Sequence, residues 1–234
     1  MLAERENAIF SEWKSSLPQE QRDNFIPDGI VDEEKWSEAK LKILYLLKEV
    51  NGGADWDERE YLAGYNTVQE FINTHSPSID ALITWTYGLT SGNVDEPWSQ
   101  VLSATADKTI QSALLSKIGV VNFKKVSGFG VADSKSLDTF ATEPSNQEML
   151  RRQLALYHPD IVICGGTAYY LEALYREDFA AEKWRTTSRG VRYAKRENTT
   201  YIDFCHPLIR APRNMIYYSL LDAVKEIKSL DEHV

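Results

Sequence analysis

Helical spacing of Ala8, Ile9 and Trp13 among charged positions marks residues 3 to 16, and Pro18 ends that repeat. The pattern predicts an N-terminal helix followed by a polar connector through Glu33. Residues 42 to 47, KILYLL, are a short apolar run of strand formers stopped by Asn51-Gly52-Gly53, which predicts a buried strand ending in a loop. Residues 66 to 74 and 78 to 87 read as helices, the second with Ser78 as N-cap and Leu82, Ile83, Trp85 and Thr86 along it. A further helix is expected over about residues 107 to 117.

Gly119-Val120-Val121-Asn122-Phe123 reads as a second buried strand running into the polar segment Lys124 to Gly128. Ser145-Asn146-Gln147-Glu148 has the form of a capping box opening a helix through about Tyr157. Asp160 to Cys164 is a third apolar strand, and Gly165-Gly166-Thr167-Ala168 lets the chain turn tightly into a helix from Tyr169 to Tyr175. Val191 to Lys195 and Thr200 to Phe204 alternate around Glu197-Asn198, a hairpin whose second arm delivers Cys205-His206-Pro207. A last helix carries Ile216, Leu220, Ala223, Val224 and Ile227 on one stripe. Strands separated by helices predict an α/β fold, a three-layer α/β/α sandwich around a mainly parallel central sheet. Residues 1 to 234 are expected to form one domain with an N-terminal helical extension over about residues 1 to 40. Ligands gather beyond the C-terminal strand ends of such sheets, which brings residues 48 to 51, 122 to 125 and 205 to 213 together.

With 43% hydrophobic and 26% charged residues, the 234-residue chain has the composition of a water-soluble globular protein. No apolar run approaches the roughly 20 residues of a membrane helix, and the charged N-terminus is unlike a secretory signal. A cytoplasmic location without a membrane partner is therefore expected. Cys164 and Cys205 make no disulfide or zinc framework, and His75, His158 and His233 lack ligand spacing, so no metal is expected. Gly165-Gly166-Thr167 has neither a P-loop lysine nor a dinucleotide fingerprint, and no G-x-S-x-G elbow is present, so no cofactor is expected either. The net charge of −9 repels nucleic acid unless positive charge collects on one face. Acidic residues are dense before residue 60, whereas Lys183, Arg185, Arg189, Arg192, Lys195, Arg196, Arg210 and Arg213 fall in the last third.

KILYLLKEVN, VVNFKK, HPDIVICGGTA and FCHPLIRAPRN, taken in this order, resemble the uracil-DNA glycosylase superfamily over roughly residues 40 to 230. The resemblance implies a helix-flanked parallel sheet and hydrolysis of the N-glycosidic bond of uracil or another modified base, in DNA repair, with the target base flipped from DNA. It also implies DNA or a nucleotide containing a modified base as partner. The first motif lacks the Gly and Pro that commonly surround the family's water-activating residue, and Leu208, Ile209 and Arg210 replace the small residues usual after His-Pro. Two cysteines exclude the four-cysteine iron-sulfur cluster of some members.

N-glycosidic cleavage places positive charge on the sugar and negative charge on the leaving base, so it needs a carboxylate at one end and donors at the other. Glu49 is the candidate carboxylate, with Asn51 or Asp55 as alternatives; without chemistry it is a loop glutamate paired to Lys48 or an arginine. By resemblance His206 donates to the carbonyl oxygen of the departing base, and Asn122 reads the base edge. Their bland readings are a turn histidine bonded to backbone and a strand-end cap. Tyr61 and Tyr65 are candidates for stacking on a base, and Lys124, Lys125, Arg210 and Arg213 for contacts to phosphate. Leu208-Ile209 is either a wedge for a flipped nucleotide or a core anchor. A noncatalytic module binding nucleotide, DNA or protein on the same fold is the alternative, and a small-molecule nucleoside enzyme a third.

Overall fold

The computed structural model describes residues 1–52, 55–66, 76–128, 134–180 and 183–231. Seven strands form one mixed sheet in the order β1-β3-β2-β4-β7-β6-β5. These are β1 (Gly29–Ile30), β2 (Ile43–Asn51), β3 (Ile118–Gly128), β4 (Ile161–Gly165), β5 (Arg185–Thr186), β6 (Arg192–Arg196) and β7 (Thr199–Phe204). The central strands β3, β2, β4 and β7 are mutually parallel, whereas β1, β6 and β5 add to the edges antiparallel. Eleven helices accompany them among the described residues.

Strand side chains alternate between two hydrophobic clusters, as a period of two requires. Leu44, Leu46, Val121, Phe123, Val162 and Cys164 join one cluster, to which α1 (Leu2–Ser16), α8 (Ser134–Thr142), α9 (Pro144–Leu154) and α10 (Ala168–Leu174) contribute. Ile43, Tyr45, Leu47, Ile118, Val120, Ile161 and Ile163 join the other, with α5 (Pro77–Ser91), α6 (Trp98–Thr105), α7 (Lys108–Leu115) and α11 (Arg213–Asp231). Burial toward both clusters explains why the parallel strands read as unbroken apolar runs. From β2 the chain passes to β3 on one side and later to β4 on the other, so a topological switch point lies between the C-terminal ends of β2 and β4.

Several boundaries differ from those expected. β2 continues past the apolar run to Asn51, and β3 continues through Lys124 and Lys125 to Gly128. Buried acids explain both extensions: Glu49 stands opposite Lys124 in the register, and Lys125 meets Asp28. The helix after residue 143 opens on Pro144 rather than at a Ser145 cap and closes at Leu154. Asn146 is drawn instead to Trp13 Nε1 at 2.7 Å and the Phe140 carbonyl at 3.0 Å. Likewise Ser76, not Ser78, occupies the N-cap position before Pro77, and Gly92 ends α5 with a left-handed φ of 68°. The β6–β7 hairpin turns at Glu197-Asn198, and residues 67–74 of one expected helix lie outside the described residues. Besides α1, the first 40 residues hold α2 (Gln19–Asp23), β1 and α3 (Glu33–Glu38), so this segment adds an edge strand to the sheet. None of the described helices is long and apolar enough to cross a membrane.

Beneath β3, Asp28 is fully buried and accepts from Lys125 Nζ at 2.5 Å and Gln153 Nε2 at 2.9 Å through one oxygen. Its other oxygen accepts from the Asn122 amide N at 2.7 Å and from Asn122 Nδ2 at 3.2 Å. Burial lowers the Lys125 ammonium from its ordinary value, and the Asp28 charge opposes that drop. Removing one member of such a pair strands the other in a dry interior. Lys125→Met is therefore expected to cost about 3–5 kcal/mol, read as a lower urea midpoint at unchanged slope. A loss below about 1 kcal/mol would show that Asp28 is solvated without its lysine.

Candidate functional site

A cleft of about 840 Å³ opens beside the C-terminal half of β2, between β3 and the turn after β7. Glu49 from β2, Asn122 from β3 and His206 from the turn after β7 all line it. The helix α4 (Glu58–Ala63) supplies Glu58, Glu60 and Tyr61, and the head of α5 supplies Ser78 and Ile79. Glu49, Asp55, Asp57, Glu58 and Glu60 give the wall five carboxyl groups.

Glu49 is buried and receives Lys124 Nζ on Oε2 at 2.8 Å, while its Oε1 has no hydrogen-bond partner among the described residues. A buried carboxylate oxygen without a donor is costly, and such an exception in a cleft points to chemistry rather than to stability. Asn122, 1% exposed, donates through Nδ2 to both Asp28 and Glu58, the latter at 2.7 Å. Two acid acceptors fix which end of the amide is nitrogen. Glu58 is held in place from both sides: its backbone N donates to the Pro27 carbonyl at 2.9 Å, and Arg59 pairs with Glu6 at 3.0 Å and Asp57 at 2.6 Å. Burial, followed by the nearby Asp28 charge, pushes the Glu58 carboxyl up to about 8.

His206 Nδ1 accepts from the Leu208 backbone N at 3.2 Å, which assigns the proton of the neutral ring to Nε2. Burial, followed by the Lys48 charge, lowers its pKa from the ordinary 6.5. The Gly165-Gly166 turn makes this geometry possible. Gly166 has φ 70° and donates to the Phe204 carbonyl at 2.7 Å, tying the end of β4 to the strand that delivers His206. A Cβ on Gly165 would come within 2.6 Å of Leu47 Cδ2, so a larger residue would push on β2.

No family model, curated protein or solved structure matches the chain. Its site must therefore be judged on these contacts alone.

Among the other expected residues, Tyr61 lines the cleft, with its ring 5.6 Å from Trp56 and 6.1 Å from Tyr65. Tyr65 is not a cleft residue: it is 2% exposed, packs in the core behind Tyr61 and accepts from Ser76 N. Lys124 and Lys125 do not lie on a loop facing phosphate, because both are buried in β3 against Glu49 and Asp28. Asn51 ends β2 opposite Gly128. Arg210 is exposed beyond the His-Pro turn, and Arg213, at the head of α11, lies 3.5 Å from Asp80. Leu208 and Ile209 are 51% and 45% exposed, so neither anchors the turn in the core.

A second cavity, about 920 Å³, lies against Pro18, Gln21, Lys124, Phe140 and Asn146. Glu49, Asn122 and His206 line the smaller cleft and not this one, so the smaller cleft is the better chemical site. Lys124 touches this second cavity while its ammonium reaches Glu49 in the first. Among the described residues, no three His, Cys, Asp or Glu side chains are placed to hold a metal ion.

Sequence reasoning missed Asp28 and Glu58. Their contacts with Asn122 span 94 and 64 positions, and neither residue stands in a local motif. The His206 ring is expected to titrate below 6.5 by NMR, and Lys48→Met is expected to raise that midpoint. Because the folded pKa is depressed, the associated stability is present above 6.5 and lost as pH falls through the lowered value. The melting temperature of wild type relative to His206→Gln should therefore decline on acidification. A ring midpoint at or above 6.5 would show that burial and the Lys48 charge do not disfavour the imidazolium.

Proposed function

We propose that the chain is a uracil-DNA glycosylase-like hydrolase, a three-layer α/β/α sandwich that cleaves the N-glycosidic bond of uracil or another modified base. The observation that carries this reading is the meeting of Glu49, Asn122 and His206 in one cleft, from β2, β3 and the turn after β7. In the proposed reaction, Glu49 offers Oε1 to water or to the positively charged sugar, with Lys124 holding Oε2. His206 donates from Nε2 to the base oxygen on which negative charge develops, and a neutral ring does so without giving up its proton. Asn122 reads the base edge, and Tyr61 offers a face or edge to the ring. The exposed Leu208-Ile209 pair at the rim supports a wedge that fills the space of a flipped nucleotide.

A second reading, hydrolysis of a free nucleoside, is favoured by one specific feature. Five of the described residues lining the cleft carry carboxyl groups and none is a lysine or arginine, so a phosphate backbone meets little positive charge there.

Base release from modified-base oligonucleotides and from nucleosides tests both readings. Glu49→Gln and His206→Ala are each expected to lower release on the order of 10²–10³-fold with folding retained. Since Glu49→Gln also strands Lys124, the pair Glu49→Gln with Lys124→Met serves as a stability control. Turnover of nucleosides alone selects the second reading. Thermal stabilisation by a base without any release identifies a binding module and ends the catalytic proposal.

A further inference from the structure

The amide of Asn122 has two hydrogens, and both are engaged: one by Asp28 at 3.2 Å and one by Glu58 at 2.7 Å. Reversing the amide would set its oxygen against the Asp28 carboxylate, so the orientation is fixed. With both hydrogens engaged, the amide atom of Asn122 that remains for a ligand is Oδ1, an acceptor. Glu58 lines the same cleft, and with Oε2 taking the Asn122 hydrogen its remaining oxygen is Oε1.

We propose that the base edge is read jointly by Asn122 Oδ1 and the Glu58 carboxyl, which makes Glu58 a specificity-determining residue for heterocycles carrying an N–H donor beside an acceptor. This rests on the base-reading role given above to Asn122. In the neutral form, Glu58 accepts from Asn122 with its carbonyl oxygen and donates its O–H to the ligand's acceptor, while Asn122 Oδ1 accepts the ligand's N–H. Once Glu58 ionises, the wall offers acceptors only, and the ligand's acceptor faces a carboxylate.

The charged groups around Glu58 are Asp28 and Lys125 on the buried side, Asp57 at the head of its own helix, and Asp55, Glu60, Glu49 and His206 around the cleft. Burial and the Lys48 charge lower the His206 midpoint from 6.5, and burial with the Asp28 charge places the Glu58 change at about 8. The neutral form thus predominates at neutral pH. Glu58→Gln keeps a donor and an acceptor but cannot ionise.

The test is calorimetric binding of 1-methylcytosine, 1-methyluracil and 9-methyladenine to the full chain at about pH 7 and about pH 9. Between these values wild-type affinity is expected to fall about tenfold relative to Glu58→Gln, a ratio that cancels any titration of the probe itself. An N4,N4-dimethyl form of 1-methylcytosine, which lacks the donor, is expected to bind wild type at least about tenfold more weakly than its parent. This second arm needs no variant and carries the test should Glu58→Gln fail to fold. Identical pH dependence in the two proteins, equal binding of the dimethylated probe, or no binding of any of the three bases overturns the proposal. Glu58-dependent binding without base release would sink the hydrolase reading while leaving this one standing. Base release with a pH profile indifferent to Glu58→Gln would do the reverse.

Discussion

One buried carboxylate, Asp28, holds the edge of the sheet and the wall of the cleft in register. Lys125, Gln153 and both nitrogens of Asn122 donate to it, so β3, α9 and the segment before β1 share a single acceptor group. A buried carboxylate is tolerated only when its lone pairs are satisfied, so each of these donors is constrained by the others. The rigidity reaches the cleft through Asn122. Fixed from behind, this side chain presents one atom, Oδ1, rather than sampling both ends of its amide.

Much of the fold was legible because strand burial leaves a direct trace in hydrophobicity. The runs at Ile43 to Leu47, Val120 to Phe123 and Ile161 to Cys164 are strands, and the alternation around Glu197-Asn198 is a hairpin. The reading failed where burial was achieved by charge pairing instead. Lys124 and Lys125 look like a solvated loop in any local window, yet their partners Glu49 and Asp28 lie 75 and 97 positions away. Helix starts failed for a different reason. Pro77 and Pro144 take the first helical turn, so serines that resemble caps fall inside or beside it.

The same distinction divides the site. Glu49 near the end of β2 and His206 just beyond β7 stand where a fold-level rule places ligands, and the cleft unites them with Asn122 from the middle of β3. Glu58 belongs to a short helix whose N-cap, Asp57, is the only local signal near it. Its importance comes from contacts with Asn122 and the charge of Asp28, neither of which a linear pattern contains. Tyr65 shows the opposite error: proximity in sequence to the first motif suggested a stacking face, but α4 ends at Ala63, and beyond the Gly64 cap Tyr65 packs into the core.

The electrostatics of the cleft bear on which ligands it tolerates. Under the proposed chemistry the carboxylates in its wall stabilise a sugar gaining positive charge and repel a polyanion at short range, while Glu58 itself is largely neutral near pH 7. Lys48 lies on the other side of the Gly166 turn beside His206, where it lowers the ring's proton affinity. Under the proposed chemistry the cleft is thus negative where the sugar becomes cationic and has a neutral donor backed by positive charge where the base becomes anionic. An extended DNA strand requires further positive charge outside this wall. Among the expected phosphate ligands only Arg210 and Arg213 stay at the surface, and Arg213 already faces Asp80, so a strand would have to approach along the rim carrying Leu208, Ile209 and Arg210.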